Sequence, residues 1–222
     1  MLYFEKSQPA PECLTIEKQK ANGDYKCGCV IERLQTDFAN KCYICEDNQA
    51  TSINVEHFKA HRGNKDLEFD WHNLFFACGH CNNIKLASFE PLLNCTDYND
   101  FETDLLRYLF NPLPFENVII ETLSQENKVI NTRELLMAVF NGTTKLKKLE
   151  SASLRKKLLK EVRKFQDCLI EYYESEEQSN KDYYKMQLIK HLHKTSAFTS
   201  FKRQIIKDNP SYREFIDLCI IK

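Results

Sequence analysis

Glycine and proline are scarce in this chain of 222 residues, with 5 glycines and 6 prolines. The formal net charge is also small, at −1 at pH 7. Because few residues interrupt helices and charged helix formers are common, the composition predicts a mostly helical protein. The near-zero net charge also means that bulk electrostatics do not indicate a nucleic-acid partner. Any such binding must come from a local pattern.

The sequence also lacks long apolar segments. No stretch approaches the roughly 20 apolar residues that a membrane span needs. Residues 1–6 read MLYFEK, which is not a basic region followed by an apolar run, so we expect no signal peptide. We therefore expect a cytoplasmic protein with no membrane partner. In such a reducing compartment, paired cysteines favour metal binding over disulfides.

Cysteine, by contrast, is abundant, with 10 residues. Two Cys-x-x-Cys pairs, Cys42/Cys45 and Cys78/Cys81, together offer four thiolates. Zinc prefers four ligands in a tetrahedron, and a two-residue spacer points both sulfurs of a pair at one ion. Since an all-cysteine site leaves no open position, we predict a structural Zn²⁺. Four unrelated buried cysteines are the alternative.

The other six cysteines carry a weaker signal. Cys27 and Cys29 could join a metal site, although a one-residue spacer is less usual there. The remaining four are expected to be small buried apolar residues: Cys13, Cys95, Cys168 and Cys219.

The residues between the two pairs have the pattern of a short hairpin. Residues 52–55 and 74–77 are β-prone, residues 59–70 are polar and loop-like, and a helix is expected from Cys81 onward. Glu56 and His57 end the first strand, where adjacent side chains point to opposite faces. Either the hairpin bends at this point or a metal lies at the strand end.

These side chains suit phosphodiester hydrolysis, which needs a base for water and a cation for the phosphate. The neutral imidazole of His57 suits the first task. Oxygen ligands such as those of Glu56 and Asn82 suit a hard divalent ion. Lys85 lies on the same helical face as Asn82 and could contact a phosphate. Loop histidines such as His61 could assist or simply face solvent.

The order of these residues resembles that of the His-Asn-His (HNH) endonucleases, whose fold is the ββα-metal finger. The matching positions are Glu56-His57, Asn73-Leu74 and Cys78-x-x-Cys81-Asn82-x-x-Lys85. The resemblance implies that His57 is the general base and that Asn73 fixes the imidazole or its loop. It also implies that Glu56 and Asn82 hold a catalytic Mg²⁺ or Mn²⁺. The family often has Asp at the position of Glu56 and His at the position of Asn82. Asn83 is the alternative to Asn82 as a metal ligand.

Longer runs are similar to the PtuB-type nucleases of Septu antiphage systems, which also occur beside retrons. The similarity is close over residues 40–90 and weaker over residues 130–165. It implies an antiviral nuclease that cuts DNA or tRNA inside a complex with a PtuA-type ATPase. A retron reverse transcriptase and its msDNA are further implied partners.

Together these features predict an α+β fold that is mostly α, with a small zinc-braced ββα-metal finger. We expect a helical lead-in over residues 1–40, loose over 1–12, the HNH core over 41–90, and a mainly helical region over 91–222 for partner or nucleic-acid binding. Within that region, residues 118–121 and 128–131 could form a hairpin, followed by a helix capped at Asn131 or Thr132.

Residues 145–164 are strongly basic, with nine Lys or Arg and two acidic residues. We identify Lys156, Lys157 and Lys160 as candidate contacts for a phosphate backbone. A solvated face of an ordinary amphipathic helix explains the pattern equally well, and a docking surface for an acidic partner is a third interpretation.

The sequence therefore predicts a metal-dependent HNH endonuclease with a DNA or RNA target. The alternative is a non-catalytic zinc module that binds protein or nucleic acid. Divalent-ion affinity at Glu56 and Asn82 separates the two, because such a module needs zinc only.

Overall fold

A computed structural model describes residues 1–101, 104–111 and 117–220. Parts of the predicted C-terminal region, residues 102–103, 112–116 and 221–222, lie outside the described residues. The protein is mostly helical with two small antiparallel sheets, which confirms the predicted α+β class.

The described helices and strands follow one another along the chain. They are α1 (Glu12–Gln19), α2 (Gly28–Asp37), β1 (Ile53–His57), α3 (Lys65–Glu68), β2 (Leu74–Cys78), α4 (Gly79–Lys85), β3 (Leu106–Asn111), β4 (Asn117–Thr122), α5 (Asn127–Asn141), α6 (Lys145–Glu174), α7 (Gln178–Leu192) and α8 (Thr199–Asp208). Short 3₁₀ segments cover Trp71–Asn73, Tyr98–Phe101 and Pro210–Cys219. None of the helices in the described ranges has both the length and the apolar character of a bilayer span.

The first sheet is the predicted hairpin. β1 and β2 pair antiparallel, from Ile53 opposite Cys78 to His57 opposite Leu74. All five residues of β2 are buried, so this strand forms the inner side of the hairpin. The hairpin therefore has the second cysteine pair at one end and His57 at the other.

The loop that joins β1 to β2 is more ordered than its polar sequence indicates. It contains the single turn α3, whose N-cap Asn64 accepts hydrogen bonds from the backbone N–H groups of Asp66 and Leu67. Asp70 then caps the 3₁₀ segment by accepting from the N–H of His72 at 3.0 Å. Asn and Asp are favoured at such caps because their side-chain oxygens satisfy free backbone donors.

The predicted hairpin of residues 118–121 with 128–131 is wrong. β4 pairs with β3, from Leu106 opposite Thr122 to Asn111 opposite Asn117. Residues 128–131 belong instead to α5, which begins at Asn127, before the predicted caps. Thr132 is buried inside this helix and donates to the carbonyl of Lys128 at 2.7 Å. β-prone side chains here form a helical face that packs on β4, so tertiary packing overrides local propensity.

One hydrophobic core joins the hairpin to segments on both sides of it. Its buried members include Leu34, Phe75, Leu136 and Leu158. The expectation of a loose start is also wrong, because Phe4 is buried in this core and its N–H donates to the carbonyl of Cys95 at 2.8 Å. A second, smaller core around Phe165 packs the later part of α6 against α7, α8 and the last 3₁₀ segment.

Candidate functional site

Four buried sulfurs meet at the open end of the hairpin. The Sγ atoms of Cys42, Cys45, Cys78 and Cys81 all lie within 4.8 Å of one another, and the Cys45–Cys78 pair is 3.9 Å apart. A tetrahedral zinc with Zn–S bonds near about 2.3 Å places its sulfurs roughly 3.8 Å apart. The cluster therefore fits a zinc ion, as predicted.

Local structure explains why the second cysteine pair converges. Cys78 ends β2 and is the N-cap of α4, where its sulfur accepts from the N–H of Cys81. Cys81 lies in the first turn of that helix. The strand-to-helix junction thus points both sulfurs to one side, toward the turn that carries the first pair.

Helix α6 is fastened to both cysteine turns. The Lys157 ammonium lies 2.6 Å from a carboxylate oxygen of Asp47, just after the first pair, and donates to the carbonyl of Gln49. His80, inside the second pair, contacts Glu150 at 2.8 Å and the carbonyl of Val139 at 2.9 Å. Both ring nitrogens of His80 are thereby engaged. Lys157, a candidate phosphate contact, instead holds α6 against the cysteine turn.

At the far end of the hairpin, the ring of His57 has a defined tautomer. Its Nε2 lies 2.9 Å from the backbone carbonyl of Glu68. A carbonyl oxygen only accepts, so Nε2 must carry the proton and the neutral ring keeps its lone pair on Nδ1. The ring is half-buried between Tyr25 and His61, with centroids 4.4 and 4.5 Å away. This burial lowers the pKa of His57 below 6.5, which keeps the ring neutral.

Asn73 fixes the loop that positions this ring. Its buried side-chain amide donates to the carbonyls of Lys59 and Leu67 at 2.9 and 3.0 Å. Its side-chain oxygen accepts from the N–H of Lys59 at 2.7 Å. These three bonds tie both ends of the 59–67 segment to one side chain, and Glu68 follows directly. Asn73 thus contacts the loop rather than the imidazole.

Glu56 faces the interior and is already partnered. One carboxylate oxygen accepts from the Lys85 ammonium at 2.6 Å, and the other accepts from the Tyr43 hydroxyl at 2.9 Å. Lys85 also donates to the carbonyl of His57 at 3.0 Å. Burial raises the pKa of Glu56 to about 7, and the Lys85 charge opposes that rise. The Lys85 side chain is 1% exposed, so it is turned away from any phosphate at the surface.

Of the two predicted oxygen ligands, Glu56 is engaged by Lys85 and Tyr43. Asn82 is half-buried and Asn83 is exposed on α4. Within the described residues, no hydrogen bond links the Asn82 side chain to Glu56 or His57. Because both oxygens of Glu56 are also occupied, the donors as arranged do not fit a Mg²⁺ or Mn²⁺ site.

The Glu56–Lys85 pair makes a stability prediction. We expect Lys85→Met to lower the free energy of unfolding by about 3–5 kcal/mol, because it leaves a buried carboxylate without its cation. The double variant Glu56→Gln/Lys85→Met should lose much less than the sum of its single variants. Denaturant unfolding measures both. The matched control is Lys20→Met, which breaks a surface pair with Glu17 and should change the free energy of unfolding little. Additive losses would contradict the pairing.

Sequence reasoning missed three residues of the site. Glu68 supplies the backbone acceptor of His57, Tyr25 packs on its ring, and Tyr43 holds Glu56. Only Tyr43 carried a signal, since it lies between the first two cysteines. The positions of Glu68 and Tyr25 depend on the path of the segments that carry them.

A second group of cysteines lies between α1 and α2. The sulfurs of Cys13, Cys27 and Cys29 are mutually within 4.8 Å. Cys13 is therefore not the isolated apolar residue that we expected, because it joins these partners at the surface. Cys95 and Cys219 are buried, as predicted, and Cys168 is half-buried.

Comparison with known proteins adds no assignment. Neither the protein-family models nor the curated proteins searched give a match to this chain. The four-sulfur cluster and the His57 end of the hairpin are the features that bear on function.

Proposed function

We propose that this chain is an HNH-type endonuclease that hydrolyses phosphodiester bonds with His57 as its general base. The observation that supports this most strongly is the bond from His57 Nε2 to the Glu68 carbonyl. It leaves the lone pair of the half-buried ring on Nδ1, and burial of that ring, not the bond, lowers its pKa. Those are the properties that a base needs near neutral pH.

In this proposal, Nδ1 of His57 takes a proton from a water molecule that attacks phosphorus in line. The P–O bond opposite that water breaks, and the leaving oxygen takes a proton from solvent. The water proton moves to Nδ1 while Nε2–H stays bonded to the Glu68 carbonyl, which also stabilises the imidazolium. Asn73 acts as a positioning residue because it holds the loop that carries this carbonyl. General-base catalysis of this kind contributes about 10²–10⁴-fold.

Zinc has a structural role in this account. The four-cysteine cluster leaves no open coordination position, so it neither binds substrate nor activates water. It fixes the end of the hairpin at which β2 meets α4. The paired strands connect this end to His57 at the other end of the hairpin. A small hairpin with one helix gains stability from such a metal.

A divalent cation remains part of the proposal as a requirement of the reaction. Bound Mg²⁺ or Mn²⁺ would stabilise charge on the phosphate and the leaving oxygen. The sequence assigns Glu56 and Asn82 as its ligands, but the Glu56 carboxylate is paired with the Lys85 ammonium. We therefore derive no step through the ion.

The proposed partners follow from the resemblance. They are a nucleic-acid substrate, DNA or tRNA, and a PtuA-type ATPase of an antiphage system, with a retron reverse transcriptase and its msDNA in some systems. Lys156 and Lys160 are exposed on α6 and are the proposed backbone contacts. Lys157 is less suited because Asp47 neutralises it.

A cleavage assay tests the proposal. Zinc-loaded chain, alone and with a PtuA-type ATPase, is incubated with supercoiled plasmid and with total tRNA, with and without Mg²⁺ or Mn²⁺. We expect cleavage of one substrate that depends on the added ion. If both substrates stay intact in every combination while the protein is folded and zinc-loaded, the nuclease proposal is wrong.

The pH dependence of that cleavage is a second prediction. A base must be unprotonated, and burial shifts the pKa of His57 below 6.5. The decline of activity on the acidic side should therefore lie at lower pH than it would for an ordinary exposed histidine. The acidic limb of kcat/KM measures this pKa. A midpoint well above 7 would assign the limb to another group.

The second candidate function is a non-catalytic zinc module. The observation that favours it is the Lys85–Glu56 pair, which fills the predicted divalent site with a protein cation. Such a module would bind nucleic acid or a partner with zinc alone and would cut neither substrate.

A further inference from the structure

The second cysteine group, Cys13, Cys27 and Cys29, has a defined place in the fold. Cys13 is the second residue of α1, Cys27 is the N-cap of α2, and Cys29 is the second residue of α2. All three sulfurs lie within 4.8 Å of one another at a place where two helices begin. We propose that these three thiolates form a second metal site, which binds a thiophilic divalent ion such as Zn²⁺.

Three sulfurs at one point are not explained by a single disulfide. The structure joins Cys13 to Cys29, with their Cα atoms 6.5 Å apart, and leaves the Cys27 sulfur 2.6 Å from that of Cys13. A Cα separation of 6.5 Å is near the upper end of the disulfide range of about 4.4–6.8 Å. One disulfide always leaves the third thiol in contact but unbonded. A metal ion uses all three.

The four-sulfur cluster supports the reduced state of this group. Cys42, Cys45, Cys78 and Cys81 must be free thiolates to hold zinc. A chain that keeps four free thiolates matures where thiols stay reduced. Under the same conditions Cys13 and Cys29 are reduced as well, and three adjacent thiols can lose their protons to bind one cation.

Two helix N-termini meet at this group, and they oppose the burial that raises the pKa of Cys27. The helix macrodipoles of α1 and α2, with 8 and 10 residues, place partial positive charge at both N-termini. A thiolate at a helix N-terminus is stabilised for this reason. Within the described residues, no histidine or carboxylate joins the three sulfurs at the same distance. The fourth ligand therefore comes from solvent, in the groove beside Glu12 and Glu32.

Such a site fixes the loop that covers His57. The segment from α1 to Cys27 carries Tyr25, whose ring packs on His57 at 4.4 Å. It is otherwise held by the Glu17 carboxylate, which accepts from the N–H of Asp24, and by Lys65, which donates to the carbonyl of Lys20. A metal bound by three cysteines closes this loop at both ends and holds Tyr25 in place.

Metal content of the purified full-length chain, prepared under reducing conditions with excess Zn²⁺ and then desalted, tests the proposal. We expect two zinc ions per chain, falling to one in Cys27→Ser and in Cys29→Ser. The matched control Cys168→Ser, a half-buried cysteine outside both groups, should keep two. Substitution by Co²⁺ should give a sulfur-to-cobalt absorption band that weakens in the same two variants.

Three results would overturn the second site. One is a single zinc per chain in the wild type. Another is two ions per chain that persist in both Cys27→Ser and Cys29→Ser. The third is a Cys13–Cys29 disulfide that survives in reductant, detected as resistance of both residues to alkylation. None of these readouts depends on nuclease activity, so the proposed function and the second site can fail separately.

Discussion

His57→Ala is expected to reduce phosphodiester cleavage by about 10²–10⁴-fold, the contribution of a well-placed general base. The fold and the zinc content should be unchanged, because the ring is half-buried and lies at the end of the hairpin away from the four sulfurs. Single-turnover cleavage rates, measured with zinc-loaded protein under the conditions in which the wild type cuts, give the effect directly.

The matched control for this variant is His72→Ala. His72 lies in the same loop, next to Asn73, but its side chain is exposed. Its loss should change the rate by less than about twofold, within the range of surface substitutions away from special features. A His57→Ala protein that folds, keeps zinc and cuts at the wild-type rate would remove His57 from the proposed role.

Cys81→Ser is expected to cost the chain its structural zinc and the order of the hairpin. Structural zinc in small domains is worth about 10–16 kcal/mol, which is comparable to the whole stability of a domain, roughly 5–15 kcal/mol. Trp71, the single tryptophan, is buried in the connection between the two strands of the hairpin and reports its packing. We expect its fluorescence emission to shift to the red, together with the loss of one zinc per chain.

Cys95→Ser is the matched control, because Cys95 is equally buried but lies outside both sulfur groups. It should keep its zinc and its native tryptophan emission, with only the modest cost of placing a hydroxyl in the core. If Cys81→Ser keeps wild-type zinc and emission, the four sulfurs are not a structural metal site.

The parts of the site that could be predicted from the sequence are those set by short spacing. A two-residue spacer places two sulfurs together, and polar residues between two β-prone runs indicate a hairpin. The strand bounds, the helix after Cys78 and the convergence of the four cysteines follow from such local patterns. Each depends on residues that lie close together along the chain.

The contacts that could not be predicted join residues far apart in sequence. Lys157 and Asp47 are 110 residues apart, and neither position carries a local signal for the other. For Lys85, part of the contact could have been predicted. Lys85 lies four residues after Cys81, on the helical face that the sulfur cluster turns inward, so its burial could have been inferred. Its pairing with Glu56 depends on how α4 packs on β1.

The same limit explains the wrong hairpin of residues 118–121. The run at residues 128–131 is β-prone on its own, but Val129, Leu136 and Val139 are buried on one helical face. That face is spread over eleven residues, and only a window of this length separates a helix from a short strand. The burial of Phe4 has no local cause, since its partners Phe38 and Cys95 lie far along the chain.

The loop held by Asn73 fixes His57 as a neutral imidazole with its lone pair on Nδ1. The ¹⁵N chemical shifts of its imidazole, assigned by comparison with His57→Ala, measure this in the zinc-loaded protein at pH 7. We predict a protonated Nε2 and an unprotonated Nδ1, with titration below 6.5. A proton on Nδ1 at pH 7, as the other tautomer or as an imidazolium, would contradict the account.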